Sequence, residues 1–123
     1  MLDLHNLYAN AMNFGEPPEA LLTNMPLDCV QSVHLSGGVW INEPGNSGKQ
    51  RLLDDHLHDV PDDVFALLTE LATRAPQPLT IIIERDGAYP QFDHLLRQLA
   101  RAREALAMGR ARMHSDAPLQ VAA

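Results

Sequence analysis

Four polar residues of this 123-residue chain, all of types that bind metal ions, sit where a parallel α/β fold would gather its strand ends. Asp3 and Asn6 close the opening LDL segment, His34 lies near the end of the run VQSVHLS, and Glu84 directly follows LTIII. In a parallel (β/α) barrel the C-terminal ends of the strands ring one face, and active sites sit there. A carboxylate, an imidazole and a second carboxylate converging on one rim form a metal-site pattern. Mixed His and carboxylate ligation favours Fe, Mn or Zn over Ca or Mg. A further cluster, Asp54-Asp55-His56-Leu57-His58-Asp59, supplies Asp54 and His56. Two residues apart in an extended segment, these would point to the same side.

Each residue also has a purely structural reading. A strand-end His is commonly just a hydrogen-bonded framework residue, and Asp3 could be a helix N-cap. The acidic run 54–63 could be a solvated loop entering a helix N-terminus, a role that suits Asp62 and Asp63. Glu84, placed directly after three isoleucines, needs a partner or solvent, and Arg85 is the nearest candidate.

The elements that must position these residues read clearly. Residues 30–36 and 79–84 are apolar, β-branched runs bounded by Gly37-Gly38, by Pro76 and Pro78, and by Asp86-Gly87, which predicts two strands. The second is continuously apolar, which suits a parallel strand covered on both faces. Pro61, Asp62 and Asp63 open a helix carried by Val64, Leu67, Leu68 and Leu71. Another starts near Pro90, with Phe92, Leu95, Leu96, Leu99 and Leu106 on one face. Shorter helices are expected over Pro18 to Asn24 and after Asn6. Segment 38–53 reads as a long loop with three of the seven glycines, and long loops in compact domains are more often functional than not. After Met108 no apolar pattern remains. The expected organisation is one partial barrel domain over residues 1–108 and a fraying tail over 109–123.

Strand, helix, strand, loop, helix, strand, helix is the alternation of parallel βα units. Three such strands leave both sheet edges open and cannot close a barrel. The fold expected is therefore α/β, an incomplete portion of a barrel: either an N-terminal half is absent, which is the expectation, or copies of this piece pair.

Composition narrows the function. The hydrophobic fraction of 46% supports a core, and a net charge of −7 argues against nucleic-acid binding, which needs a basic face. The lone cysteine, Cys29, cannot form an internal disulfide, and no run is long and apolar enough to span a bilayer. With no signal-peptide pattern at residues 1–12, a cytoplasmic setting is expected. There is no Gly-rich phosphate loop and no nucleophile elbow.

Four blocks taken in order, LDLHNLYANAMNFG, PLDCVQSVHLSGG, LLDDHLHDVPDDVFALL and IIIERDGAYPQFDHLL, resemble the multinuclear non-heme iron-dependent oxidases. That resemblance spans residue 1 to about 106 and implies the C-terminal portion of a xylose-isomerase-like (β/α)8 TIM barrel, about three βα units. It implies metal ligands at Asp3, Asn6, His34, Asp54, His56 and Glu84, which in such enzymes hold two or three irons. The implied chemistry is dioxygen-dependent modification of cysteines in ribosomally made precursor peptides, often aided by a small recognition partner protein. Further His and Glu ligands would lie in the first barrel half, outside this chain. His5 stands where the family most often has Asn, and His58 has no family role. Alternatives are a non-catalytic remnant or binding module of the same fold, and a mononuclear metal-dependent isomerase or hydrolase on a related barrel.

Overall fold

A computed structural model describes residues 1–45 and 48–115. Strand β1 (Leu2–Asp3) runs straight into helix α1 (Leu4–Phe14), and α2 (Pro18–Thr23) and a short 3-10 turn (Leu27–Cys29) lead to β2 (Ser32–Leu35). Strands β3 (Val39–Asn42) and β4 (Gln50–Leu53) precede α3 (Asp62–Arg74), β5 (Thr80–Ile83) and α4 (Phe92–Ser115). The main sheet has the order β1-β2-β5, and both pairings are parallel. Asp3 pairs with His34 and His34 with Ile82, so one row of side chains crosses all three strands. The sheet and its helices make the expected βα alternation, and the described residues form no closed barrel.

Alternation within the strands sorts the two faces. Val33 and Leu35 are fully buried beneath the helices, packed with Leu4, Leu22, Leu68 and Leu71, which are also fully buried. Each such side chain contributes about 1.5–3 kcal/mol relative to exposure. Ser32 and His34 point to the opposite face and are only half-buried. The same holds along β5: Ile81 and Ile83 pack against the core, whereas Ile82 is 40% exposed. The expectation that this strand is covered on both faces is therefore corrected. Among the described residues only the helix side is covered, and the other side of the sheet is open.

Three further expectations change. The segment 38–53 is not an irregular loop but an antiparallel hairpin, with Trp40 opposite Leu52 and Asn42 opposite Gln50. Its strands are only four residues long and are separated by a Pro44-Gly45 turn and Gly48, so no sustained period marks them. Asn13 of α1 stands in for a third strand: its Oδ1 accepts from the Leu52 N–H at 2.8 Å and its Nδ2 donates to the Leu52 carbonyl at 2.9 Å. Helix α1 begins at Leu4 rather than after Asn6, capped by Asp3 and closed by Gly15 at φ 73°, a left-handed turn that suits glycine.

Helix α4 departs most. It runs on past Met108 to Ser115, so residues 109–115 are helix and not tail; residues 116–123 of the expected tail lie outside the described residues. Its buried side is Gln98, Ala102, Ala105 and Gly109, while Phe92 is 70% exposed and Leu96 45% exposed. Small side chains let α4 lie close on α3, so its large leucines are displaced to the flanks. Arg110 fastens the last turns by donating to the carbonyls of Ala75 and Gln77. Among the described residues no helix is long and apolar enough to cross a membrane.

Candidate metal centre

The open face and its rim bring five of the six expected ligands into one cluster, and the sixth adjoins it. Asp3, His34 and Glu84 offer ligand atoms within 4.8 Å of one another, and so do Asp3, Asp54 and His56. A third triad, His56, Glu84 and Asp86, shares two of these residues, so the three groups form one continuous patch.

Each side chain is placed by a local feature. Asp3 ends β1 and caps α1 at once, its Oδ1 accepting from the Asn6 N–H at 2.8 Å. The N-cap reading of Asp3 and its place in the cluster are thus compatible. Asn6 lies in the first turn of α1, not at a strand end as expected, and its amide donates to Asp54 Oδ2 at 3.3 Å. His34 presents Nδ1 to Glu84 Oε2 at 2.8 Å. Glu84 extends β5 by one bond, its N–H donating to the Leu35 carbonyl. Its partner is therefore His34 and not Arg85. The Arg85 guanidinium instead reaches Asp59 and the carbonyls of Gly87 and Ala88.

His56 is the hub. Its Nε2 lies 3.2 Å from Asp54 Oδ1, and its Nδ1 lies 3.2 Å from Asp86 Oδ2 and 3.7 Å from Glu84 Oε2. The backbone there is left-handed, φ 57°, which is uncommon for a residue with a Cβ and costs of order 1 kcal/mol. Segment 54–56 is therefore not extended as expected. The turn is held from both sides, by the His56 N–H on the Gly37 carbonyl and by the Asp86 N–H on the His56 carbonyl. His58 turns away to Asp55 at 3.0 Å and is well exposed.

The charges are mutually tuned. Burial alone would raise the Asp54 carboxyl, but the hydrogen bond and charge of His5, then Asn6 and His56, outweigh it and hold the group below the ordinary 3.8. Burial would lower His56, yet Asp54, Glu84 and Asp3 push it above the ordinary 6.5. The Asp54 contribution to stability is present above 3.8 and is lost as pH falls through its lower folded value. The His56 contribution is present below 6.5 and is lost as pH rises through its higher folded value. Urea denaturation of the metal-free chain should therefore show a stability maximum between these limits. His56→Gln should remove the decline on the alkaline side, and an unchanged decline would contradict the assignment.

Four carboxylates and two imidazoles concentrated on a partly buried rim make a site of strongly negative potential suited to a cation. Their nitrogen and oxygen donors fit a first-row transition metal, and His34 and His56 would ligate through neutral nitrogens. Asp86 and His5 were missed from the sequence. Asp86 sits two residues beyond Glu84, the spacing that returns a side chain to the same side, but it reads there as half of an Asp-Gly turn. His5 carries no such signal, because only the fold brings it to Asp54.

Comparison with known proteins now bears on this geometry. A family model described as "RiPP precursor modification enzyme MbnB/TglH/ChrH" matches residues 1–107. The chain belongs to this family. A "UPF0276 protein" of Caulobacter vibrioides (strain NA1000 / CB15N) is 38% identical over 110 residues, 89% of this chain and 36% of that protein. Another of that name from Rhizorhabdus wittichii is 35% identical over 104 residues, 85% of this chain and 34% of that protein. A third, from Streptomyces avermitilis, is 32% identical over 111 residues and is covered over 20% of its length. The chain thus spans about a third or less of these family relatives. By its description, the family comprises enzymes that modify ribosomally made peptide precursors.

Proposed function

We propose that this chain forms part of the metal rim of an iron-dependent oxidase that uses dioxygen to modify cysteines of a ribosomally made precursor peptide. The carrying observation is the continuous patch of Asp3, His34, Asp54, His56 and Glu84 on the open face of a family member's sheet. These five, with Asn6, would hold the iron. Bound iron supplies the electrons that activate dioxygen, and mixed His and carboxylate ligation leaves positions open for it.

The chain's own residues do the rest. Asp54 and Glu84 supply negative charge, His34 and His56 supply neutral nitrogen donors, and Asp3 ties the cluster to the start of α1. The uncovered face beside His34 and Ile82 gives a peptide room to approach. In this reading further His and Glu ligands come from barrel strands outside this chain, two or three irons complete the centre, a small partner protein presents the peptide, and the setting is cytoplasmic.

The test is co-expression of the protein with the cysteine-bearing precursor peptide of its own gene neighbourhood in iron-replete cells. A mass change in the peptide that needs air, and that vanishes with His34→Ala, is the expected result. Zinc or manganese in the purified protein, with no oxygen uptake, would favour a hydrolase or isomerase and overturn the proposal.

A further inference from the structure

We infer that His5 is a positioning residue, which holds the Asp54 carboxylate in the orientation that metal binding requires. The inference rests on the metal reading of the rim and adds to it a residue that makes no contact with the metal.

His5 is the second residue of α1 and is only 1% exposed. Its Nδ1 lies 2.6 Å from Asp54 Oδ1. A carboxylate oxygen can only accept, so Nδ1 carries the proton and donates. The Ser36 hydroxyl donates to the same oxygen at 3.2 Å, while Asn6 reaches the other oxygen. The ring is held as firmly as the bond. A Cβ at Gly38 would overlap both the Leu53 carbonyl oxygen and His5 Cε1, so the chain must pass there as glycine for the imidazole to fit. Tyr8 borders the ring on its own helix, with centroids 6.2 Å apart.

A leucine would fill such an enclosed place without the cost of burying a polar ring. What histidine adds is one directed donor, and its only polar partner among the described residues is Asp54. Asp54 enters from the end of the hairpin, on a segment whose backbone turns left-handed two residues later. Of the bonds that His5, Ser36 and Asn6 make to its carboxylate, that of His5 is much the shortest and does most to keep it facing His56 and Asp3. Outer hydrogen-bond partners of this kind typically set metal affinity by about 10–100-fold.

The experiment is an anaerobic Fe(II) titration of wild type, His5→Leu and His5→Asn, with thermal melting of each metal-free protein as the control for folding. His5→Leu fills the space without a donor and should weaken Fe(II) binding by about 10–100-fold. His5→Asn keeps an N–H at similar reach and should restore most of that loss. In an Asp54→Ala background, His5→Leu should add no further loss, because the carboxylate that His5 positions is already gone. Should His5→Leu fail to fold, His5→Met, whose flexible side chain adapts to the space, replaces it. Wild-type affinity in the donor-free variant, an asparagine no better than leucine, or fully additive losses would each overturn the role of His5 and leave the metal site standing. Failure of wild type to bind Fe(II) would instead remove the metal reading itself, and the role of His5 with it.

Discussion

Glu84→Ala should weaken Fe(II) binding by more than about 100-fold, beyond the range for losing an outer hydrogen-bond partner, and leave the fold intact. Glu84 joins two of the three ligand triads, one with Asp3 and His34 and the other with His56 and Asp86. Removing it therefore opens the patch on both sides at once, leaving Asp3 as the carboxylate that the triads of His34 and His56 share. Its side chain is about a third exposed and its fold-keeping contact is made by the backbone, the N–H on the Leu35 carbonyl. Alanine keeps that bond. The metal-free variant should stay within about 1 kcal/mol of wild type in urea denaturation, the usual net worth of one hydrogen bond such as that to His34. Isothermal titration with Fe(II) under nitrogen reads the loss. Retained affinity would mean that Glu84 is only the hydrogen-bond partner of His34.

The largest effect on stability is expected at Gly109→Ala. In an exposed helix this change would gain about 1 kcal/mol, because alanine is the better helix former. Here a Cβ would run into the Thr69 carbonyl oxygen and the Ala72 methyl across the α3–α4 interface. The obstacle is backbone on a helix that itself packs against the sheet, so relief requires moving α4 outward. That opens the contact made by Ala102 and Ala105 and pulls on the Arg110 bonds to Ala75 and Gln77. Overpacking of this kind costs about 1–3 kcal/mol, occasionally more, and a clash with backbone belongs at the upper end. The net loss should be about 2 kcal/mol once the helix gain is subtracted, measured as a lower urea midpoint. A stabilised variant would show that residues beyond Met108 do not pack as described.

How legible these features are in the sequence follows from how local their causes are. Strands β2 and β5 and helix α3 are plain because a run of β-branched residues and a 3.6 period need nothing beyond the segment itself. Asp3, His34 and Glu84 could be grouped because strand ends of parallel βα units share one side of a sheet. The fold does bring them together with Asp54 and His56. The hairpin escapes because two four-residue strands carry too little alternation, and Asn13, from another element, completes one of their edges.

The face of α4 is misread for a different reason. Its leucines recur at the right spacing, but close approach to α3 favours the stripe of Gln98, Ala102, Ala105 and Gly109, and side-chain size decides the contact before hydrophobicity does. Gln98 is buried because its amide serves the neighbouring loop, accepting from the Val60 N–H at 2.9 Å and donating to Asp59 at 3.1 Å. His5 and Asp86 become visible only when α1 and the loop after β5 are seen against Asp54 and His56. Those are contacts between residues about 49 and 30 positions apart, respectively.

The central claim, a transition-metal site on this rim, is tested most directly by adding Fe(II) under nitrogen to the chain and following its imidazole signals by NMR. Iron bound in the cluster must broaden the signals of His34 and His56 first. His114 should keep its signal, since it lies near the far end of α4, a 24-residue helix roughly 36 Å long. Loss of the His34 and His56 signals, together with that of His5 beside Asp54, while His114 stays sharp at stoichiometric iron is the predicted result. Uniform broadening of all histidines, or none, would contradict the site.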